Sequence, residues 1–222
     1  MDLNLSAPYA PLVRRIEAEA TVIGDQVLKI DHFLNHRIEP RFITEMGAEL
    51  ARRLAQFEPS VILTAEASGI APGLAVAQAL DIPLVYAKKY APQVESPAIA
   101  RVIPSPTKGG QTKLVLSQRY IVPSDRVVIV DDFLANGRTA VALIEMAREA
   151  GALVLCASFI VEKRFNQGHA AVEALNVAVA TLAQVEALEN GRALLTQPTD
   201  QENACQTPTA PRQVSRYTGH HG

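Results

Sequence analysis

Four consecutive β-branched residues at positions 127–130 are the feature that most constrains the fold of this chain. A run without a polar interruption is typical of a strand covered on both faces, because a half-exposed strand alternates apolar and polar residues. Other short apolar runs are separated by segments with apolar residues at helical spacing. Strands that alternate with helices predict an α/β fold, with a mainly parallel sheet and helices on both faces.

The predicted elements follow from these two patterns. Helices are expected over residues 40–57, 70–80 and 139–150. Strands are expected over residues 61–63, 84–86, 113–116, 127–130, 153–161 and 177–182. In a sheet of this kind ligands bind beyond the carboxyl ends of the strands, so chemistry should be sought just after each apolar run.

Composition limits the class of protein. With 222 residues, 48% of them hydrophobic and 20% charged, we expect one soluble globular domain over residues 1–197. A net charge of −2 does not favour a nucleic-acid or membrane-surface binder. The first ten residues lack a secretory signal pattern, and the two cysteines, Cys156 and Cys205, are interpreted as unpaired thiols in the cytoplasm. Residues 198–222 are rich in polar residues and proline, and are expected to be a disordered tail.

The segment after residues 127–130 carries the most chemical information. Asp131 and Asp132 follow the strand directly, and Asn136 and Gly137 can take the positive φ angles of a sharp turn before the next helix. Such a turn exposes backbone N–H groups at a helix N-terminus, which suits a phosphate. Two adjacent carboxylates are poor phosphate ligands but good acceptors for vicinal sugar hydroxyls.

This segment, residues 127–140, resembles the signature by which type I phosphoribosyltransferases bind phosphoribosyl pyrophosphate (PRPP). The resemblance extends over residues 21–197, and it implies that family's fold with a small N-terminal hood at residues 20–40. Residues 25–36, 66–72 and 161–165 resemble those family members that act on xanthine. The resemblance therefore implies transfer of a phosphoribosyl group to a purine, with PRPP and xanthine as substrates, Mg²⁺ carried by PRPP, and a homodimer.

The resemblance also implies roles for individual residues. Asp131 and Asp132, the acidic pair, would face the ribose hydroxyls. The 5-phosphate would lie against the signature turn, which consists of Ala135, Asn136, Gly137, Arg138 and Thr139. The pyrophosphate would lie near Ser68, Gly69 and Lys89. The purine would lie near Leu28 and Asn35 of the hood, Lys163 and Phe133.

The connector at residues 91–110 is a candidate lid. It is long, contains Pro97, Pro104 and Pro106, and ends in two glycines. A lid would keep water from a cation-like sugar at the reacting centre. Thr107 and Lys108 near its end would reach the pyrophosphate.

Two questions remain open: which purine base is the substrate, and whether the protein catalyses a reaction. Many relatives that act on hypoxanthine or guanine carry an acid at the position of Ala135. An alanine at this position fits an enzyme that acts on xanthine, but adenine enzymes of the same fold also carry it. An adenine or other purine phosphoribosyltransferase is therefore the first alternative, and a cationic Lys163 argues against it because adenine presents an amino group. The second alternative is a PRPP-sensing regulator without catalysis, although no DNA-binding helix pair is evident in the sequence.

Overall fold

The computed structural model describes residues 4–89, 97–104 and 110–199. Within these ranges the helices are α1 (Ala10–Glu19), α2 (Pro40–Leu54), α3 (Ile70–Leu80), α4 (Arg138–Glu149) and α5 (Gly168–Glu173), with a 3₁₀ turn at Ala55–Phe57. The strands are β1 (Thr21–Ile23), β2 (Val27–Lys29), β3 (Val61–Ala65), β4 (Leu84–Ala87), β5 (Ala98–Pro104), β6 (Gln111–Ser117), β7 (Arg126–Leu134), β8 (Leu153–Lys163), β9 (Ala178–Glu189) and β10 (Arg192–Leu195).

A six-stranded sheet organises the described part of the chain, in the order β10-β9-β8-β7-β3-β4. All neighbouring strands run parallel except β10, which pairs antiparallel with β9. Helices α1, α2 and α3 cover one face, and α4, α5 and the β5–β6 ribbon cover the other. The predicted α/β fold with a mainly parallel sheet is confirmed.

The central strand β7 shows why the sheet is two-sided. Val128 and Val130 pack into the core cluster on the first face, whereas Val127 and Ile129 pack into the cluster on the second face. All four side chains have no exposed area. An uninterrupted β-branched run satisfies both cores at once, as the sequence indicated.

The hood is a short antiparallel hairpin of β1 and β2, followed by residues packed on the sheet. Phe33 and Leu34 are fully buried beneath it. Arg15 of α1 lies 4.4 Å from the centre of the Phe33 ring and forms an ion pair with Glu39 at 2.7 Å. Helix α1 therefore holds the hood against the sheet through stacking and charge together.

The structure differs from the sequence prediction in three ways. Strand β7 continues to Leu134, so Asp131 and Asp132 lie inside the strand and do not begin a loop. Residues 98–104, predicted as part of an irregular lid, form β5, which pairs with β6 along its whole length. Helices α1 and α5, the hairpin and β10 were not predicted.

Parts of two predictions lie outside the described residues. Thr107 and Lys108 of the candidate lid belong there, as do all but the first two residues of the predicted tail. In the ranges that the structure describes, no helix has the length and apolar character needed to cross a membrane.

Candidate active site

The predicted site residues come together at one edge of the sheet. The acidic pair lies near the end of β7, residues 66–69 follow β3, Lys89 follows β4, and Lys163 ends β8. Since these strands are parallel, their carboxyl ends meet at that edge. The fold thus produces the crevice where parallel α/β sheets bind their ligands.

The signature turn joins β7 to α4. Gly137 takes φ 74° and is the residue that precedes the first turn of α4. A Cβ atom there would also lie 3.0 Å from the Cα atom of Gly168, so both the backbone angle and the space require glycine. Because glycine has no side chain with which to cap the helix, the N–H groups of the first turn of α4 are available to an anion.

The acidic pair is almost buried, with 8% of Asp131 and 7% of Asp132 exposed. The backbone N–H of Asp132 donates to Oδ1 of Asp131 at 2.9 Å. The Ser68 hydroxyl donates to Oδ1 of Asp132 at 3.1 Å, and the Asn35 amide donates to Oδ2 at 2.7 Å. Asp132 therefore connects the hood, the loop after β3 and the central strand.

Burial and charge act together on Asp131. Desolvation raises the pKa of the Asp131 carboxyl well above 3.8, and the negative charge of Asp132 raises it further. The Lys89 ammonium acts in the opposite direction but does not cancel these effects. In the unliganded protein the charged form of Asp131 is thus unfavourable, and a sugar hydroxyl or a cation beside it would relieve the cost.

The loop after β3 approaches the acidic pair closely. A Cβ atom on Gly69 would collide with the Thr64 hydroxyl and lie 2.6 Å from Oδ1 of Asp131. Glu66 accepts a hydrogen bond from the backbone N–H of Lys89 at 2.6 Å, which joins this loop to the end of β4. The peptide bond between Glu66 and Ala67 is cis. Only a glycine permits this approach of the loop backbone to the site.

On the other side of the acidic pair, Lys163 faces the hood. Its ammonium donates to the backbone carbonyl of Gln26 at 2.7 Å and lies 5.7 Å from the centre of the Phe133 ring. Burial lowers the pKa of Lys163. Leu28 is buried in the core cluster that includes the hood. An ammonium, a half-buried aromatic ring and a hairpin turn thus lie together.

Four residues of this region were not predicted from the sequence: Thr64, Glu162, Gly168 and His169. Thr64 lies behind Gly69, and Gly168 packs against the signature turn. Glu162 is 1% exposed and contacts His169. A carboxylate inside an otherwise apolar strand is a signal of a buried partner, and it could have identified Glu162.

Comparisons with known proteins agree with this geometry. A family model described as a phosphoribosyl transferase domain matches residues 30–184. The xanthine phosphoribosyltransferase of Chloroflexus aurantiacus is 52% identical over 191 residues, which is 86% of this chain and 90% of that protein. The xanthine phosphoribosyltransferase of Deinococcus deserti is 41% identical over 185 residues, which is 83% of this chain and 96% of that protein.

A solved structure shares the fold. The APRTase of Giardia lamblia complexed with 9-deazaadenine superposes with a TM-score of 0.66 at 18% identity, covering 78% of this chain and 97% of that chain. At this identity the likeness concerns the fold alone.

The fold, the signature turn and the acidic pair define a phosphoribosyltransferase, and the chain belongs to the phosphoribosyl transferase family. Within that family it groups with the relatives named xanthine phosphoribosyltransferase.

Proposed function

We propose that this chain transfers the 5-phosphoribosyl group of PRPP to N9 of xanthine, giving xanthosine 5′-monophosphate and pyrophosphate in purine salvage. One observation carries the proposal: the acidic pair, the signature turn and Lys163 meet at one sheet edge. The chain in which they meet is 52% identical to a relative named xanthine phosphoribosyltransferase.

The phosphoribosyl half of the site is built from backbone and carboxylates. We assign the 5-phosphate to the N–H groups of the signature turn and of the first turn of α4, where the helix dipole adds positive potential. The ribose hydroxyls would donate to the acidic pair, which accepts but cannot donate once ionised. As positive charge develops on the sugar in the transition state, these buried carboxylates would stabilise it.

The pyrophosphate would lie between residues 66–69 and Lys89. Phosphoribosyltransferases use PRPP with Mg²⁺, and the oxygen atoms of Asp131 and Asp132 are donors of the type that Mg²⁺ prefers. The cation would supply positive charge to the leaving pyrophosphate. Lys89 adds charge at the same place from the end of β4.

The base half of the site favours a purine with oxygen substituents. The Lys163 ammonium has three donors, so it can keep its bond to Gln26 and still donate to a purine carbonyl. Phe133 offers a face for stacking, and the hood with Leu28 and Asn35 would close over the base. Ala135 has no proton-transfer group, so the base is expected to react as an anion, which xanthine forms readily.

Further parts of the proposal concern the molecule as a whole. Residues 1–197 would act as one domain with residues 198–222 as a tail, in the cytoplasm and as a homodimer. Sedimentation of the pure protein at the mass of a monomer would contradict the homodimer.

Initial rates of pyrophosphate release, with PRPP and Mg²⁺ and each of xanthine, guanine, hypoxanthine and adenine, test the proposal. We expect the highest kcat/KM with xanthine. Faster turnover of adenine would favour the adenine enzyme, and PRPP binding without release for any base would favour the regulator. Lys163→Met should raise the KM for xanthine about tenfold through loss of a charged hydrogen bond, whereas the exposed Lys113→Met serves as the control.

A further inference from the structure

Helix α5 packs against the signature turn. The backbone N–H of Gly168, its first residue, donates to the carbonyl of Ala135 at 2.9 Å. A Cβ atom on Gly168 would collide with that carbonyl, and one on Gly137 would lie 3.1 Å from the Gly168 carbonyl oxygen. The signature turn would hold the 5-phosphate, and the position of α5 therefore limits the space on the other side of this turn.

A helix of six residues cannot hold this position by itself. Isolated helices of that length are unstable in water, so tertiary contacts must anchor α5. One anchor is apolar, because Val172 is fully buried in the second core cluster. The other is His169, the residue that follows Gly168.

Carboxylates contact both ring nitrogens of His169. Nδ1 lies 2.7 Å from Oε1 of Glu162, and Nε2 lies 3.2 Å from Oε1 of Glu173. His169 thus joins β8 to the last residue of α5 through its two ring nitrogens.

Glu162 connects His169 to the sheet edge. It is 1% exposed on β8 and pairs in register with Leu134, the last residue of β7 before the turn. Its second oxygen faces the Thr181 hydroxyl at 3.5 Å and the Arg164 guanidinium at 3.7 Å. Next to it in sequence stands Lys163, which we assign to the base.

We propose that His169 is a positioning residue: its imidazole ring, held by Glu162, keeps Gly168 and α5 against the signature turn, so that the turn is preformed for the 5-phosphate of PRPP. The proposal rests on the function proposed above. His169 would act on phosphate binding and leave the base and the pyrophosphate unaffected, because α5 contacts the turn on the side away from the hood and the loop after β3.

Kinetics of His169→Ala test this inference. We expect the KM for PRPP to rise about tenfold, because α5 without this contact would no longer hold the turn in place; a tenfold change corresponds to about 1.4 kcal/mol of binding free energy. The inhibition constant of ribose 5-phosphate should rise in parallel. The kcat, the KM for xanthine and the inhibition constant of pyrophosphate should stay at their wild-type values. A merely structural role would lower the melting temperature without this selectivity.

Matched variants separate the outcomes. His169→Gln keeps a side-chain N–H that can donate to Glu162, and should restore most of the affinity for ribose 5-phosphate. Glu173→Gln alters a side chain that is 61% exposed, and should change the KM for PRPP by no more than about twofold. If His169→Ala does not fold, Glu162→Met, which has no hydrogen-bonding group for the ring, is expected to show the same selective loss.

Two results would overturn the inference: an unchanged KM for PRPP in a folded His169→Ala protein, or equal losses for ribose 5-phosphate and pyrophosphate. Failure of the proposed function would look different. In that case the wild-type protein itself would release no pyrophosphate with xanthine, whereas the binding of ribose 5-phosphate can be measured by calorimetry without turnover.

Discussion

At the scale of single residues, two neighbouring aspartates with nearly equal burial have different surroundings. Asp132 accepts side-chain hydrogen bonds from Asn35 and Ser68, which come from two separate segments of the chain. Asp131 lies against Gly69 and the backbone of its neighbour, and burial followed by the charge of Asp132 raises its pKa. Asp132 thus contributes to holding the site together, while burial and the charge of Asp132 oppose the ionisation of Asp131.

This difference predicts opposite effects of Asp131→Asn on stability and on activity. The pKa of Asp131 is higher in the folded state than in the unfolded state, so the folded state binds the proton more readily, and stability falls as the pH rises from 3.8 through the folded pKa. Removing the carboxylate should therefore raise the melting temperature of the unliganded protein at neutral pH. The gain should disappear when the pH falls below 3.8, where Asp131 is protonated in both states.

Turnover should fall in the same variant. Loss of a charged acceptor for a ribose hydroxyl is expected to lower kcat/KM about tenfold to a hundredfold, from about 1.5–3 kcal/mol for such a hydrogen bond. Asp81→Asn, an exposed residue at the end of α3, is the control for both measurements. A lower melting temperature at neutral pH, or unchanged turnover, would show that Asp131 does not have the role assigned to it.

At the scale of elements, two arginines connect parts of the chain, and their surroundings differ. Arg53 of α2 is fully buried, pairs with Glu49 at 2.8 Å, and donates to the carbonyls of Leu5 at 3.1 Å and Thr181 at 2.9 Å. Arg101 of β5 pairs with Glu145 at 3.1 Å and Glu149 at 2.6 Å, and both carboxylates are about half exposed. The first joins the N-terminal segment, α2 and β9, and the second joins the ribbon to α4.

Burial decides which of these connections contributes more to stability. Arg53→Met should cost about 3 kcal/mol, because it removes the buried donor to the Thr181 carbonyl and the buried partner of Glu49, which retains its exposed pair with Arg52. Arg101→Ala should cost less than about 1 kcal/mol, because water and salt screen exposed ion pairs. Urea unfolding of both proteins measures the difference, with the exposed Arg52→Met as the control on the same helix. Equal losses in the free energy of unfolding would show that the burial of Arg53 does not add to stability.

At the scale of the whole molecule, local patterns predicted the sheet and most of its helices. The apolar runs at residues 61–63, 84–86, 127–130, 153–161 and 177–182 lie in β3, β4, β7, β8 and β9. Strands β3, β7, β8 and β9 are largely buried on both faces, and their apolar composition reflects this, whereas the edge strand β4 is partly exposed. Strand β5 was missed because prolines flank it, although Ile99 and Ile103 point inward on one face as in any ribbon.

The site was predicted as a set of residues but not as a set of contacts. The signature turn and Gly69 could be identified locally, because each needs a particular backbone. The Asn35 bond to Asp132 joins residues 97 positions apart, and the packing of Gly168 on the signature turn depends on where α5 lies. Such contacts depend on the tertiary fold, and a single sequence contains no local pattern for them.

The most direct test of the central claim is a crystal structure of this protein with PRPP and Mg²⁺. We predict the 5-phosphate against the N–H groups of residues 136–139, and the ribose hydroxyls within hydrogen-bonding distance of Asp131 and Asp132. PRPP bound elsewhere on the protein, with the signature turn unoccupied, would contradict the assignment of this sheet edge as the active site.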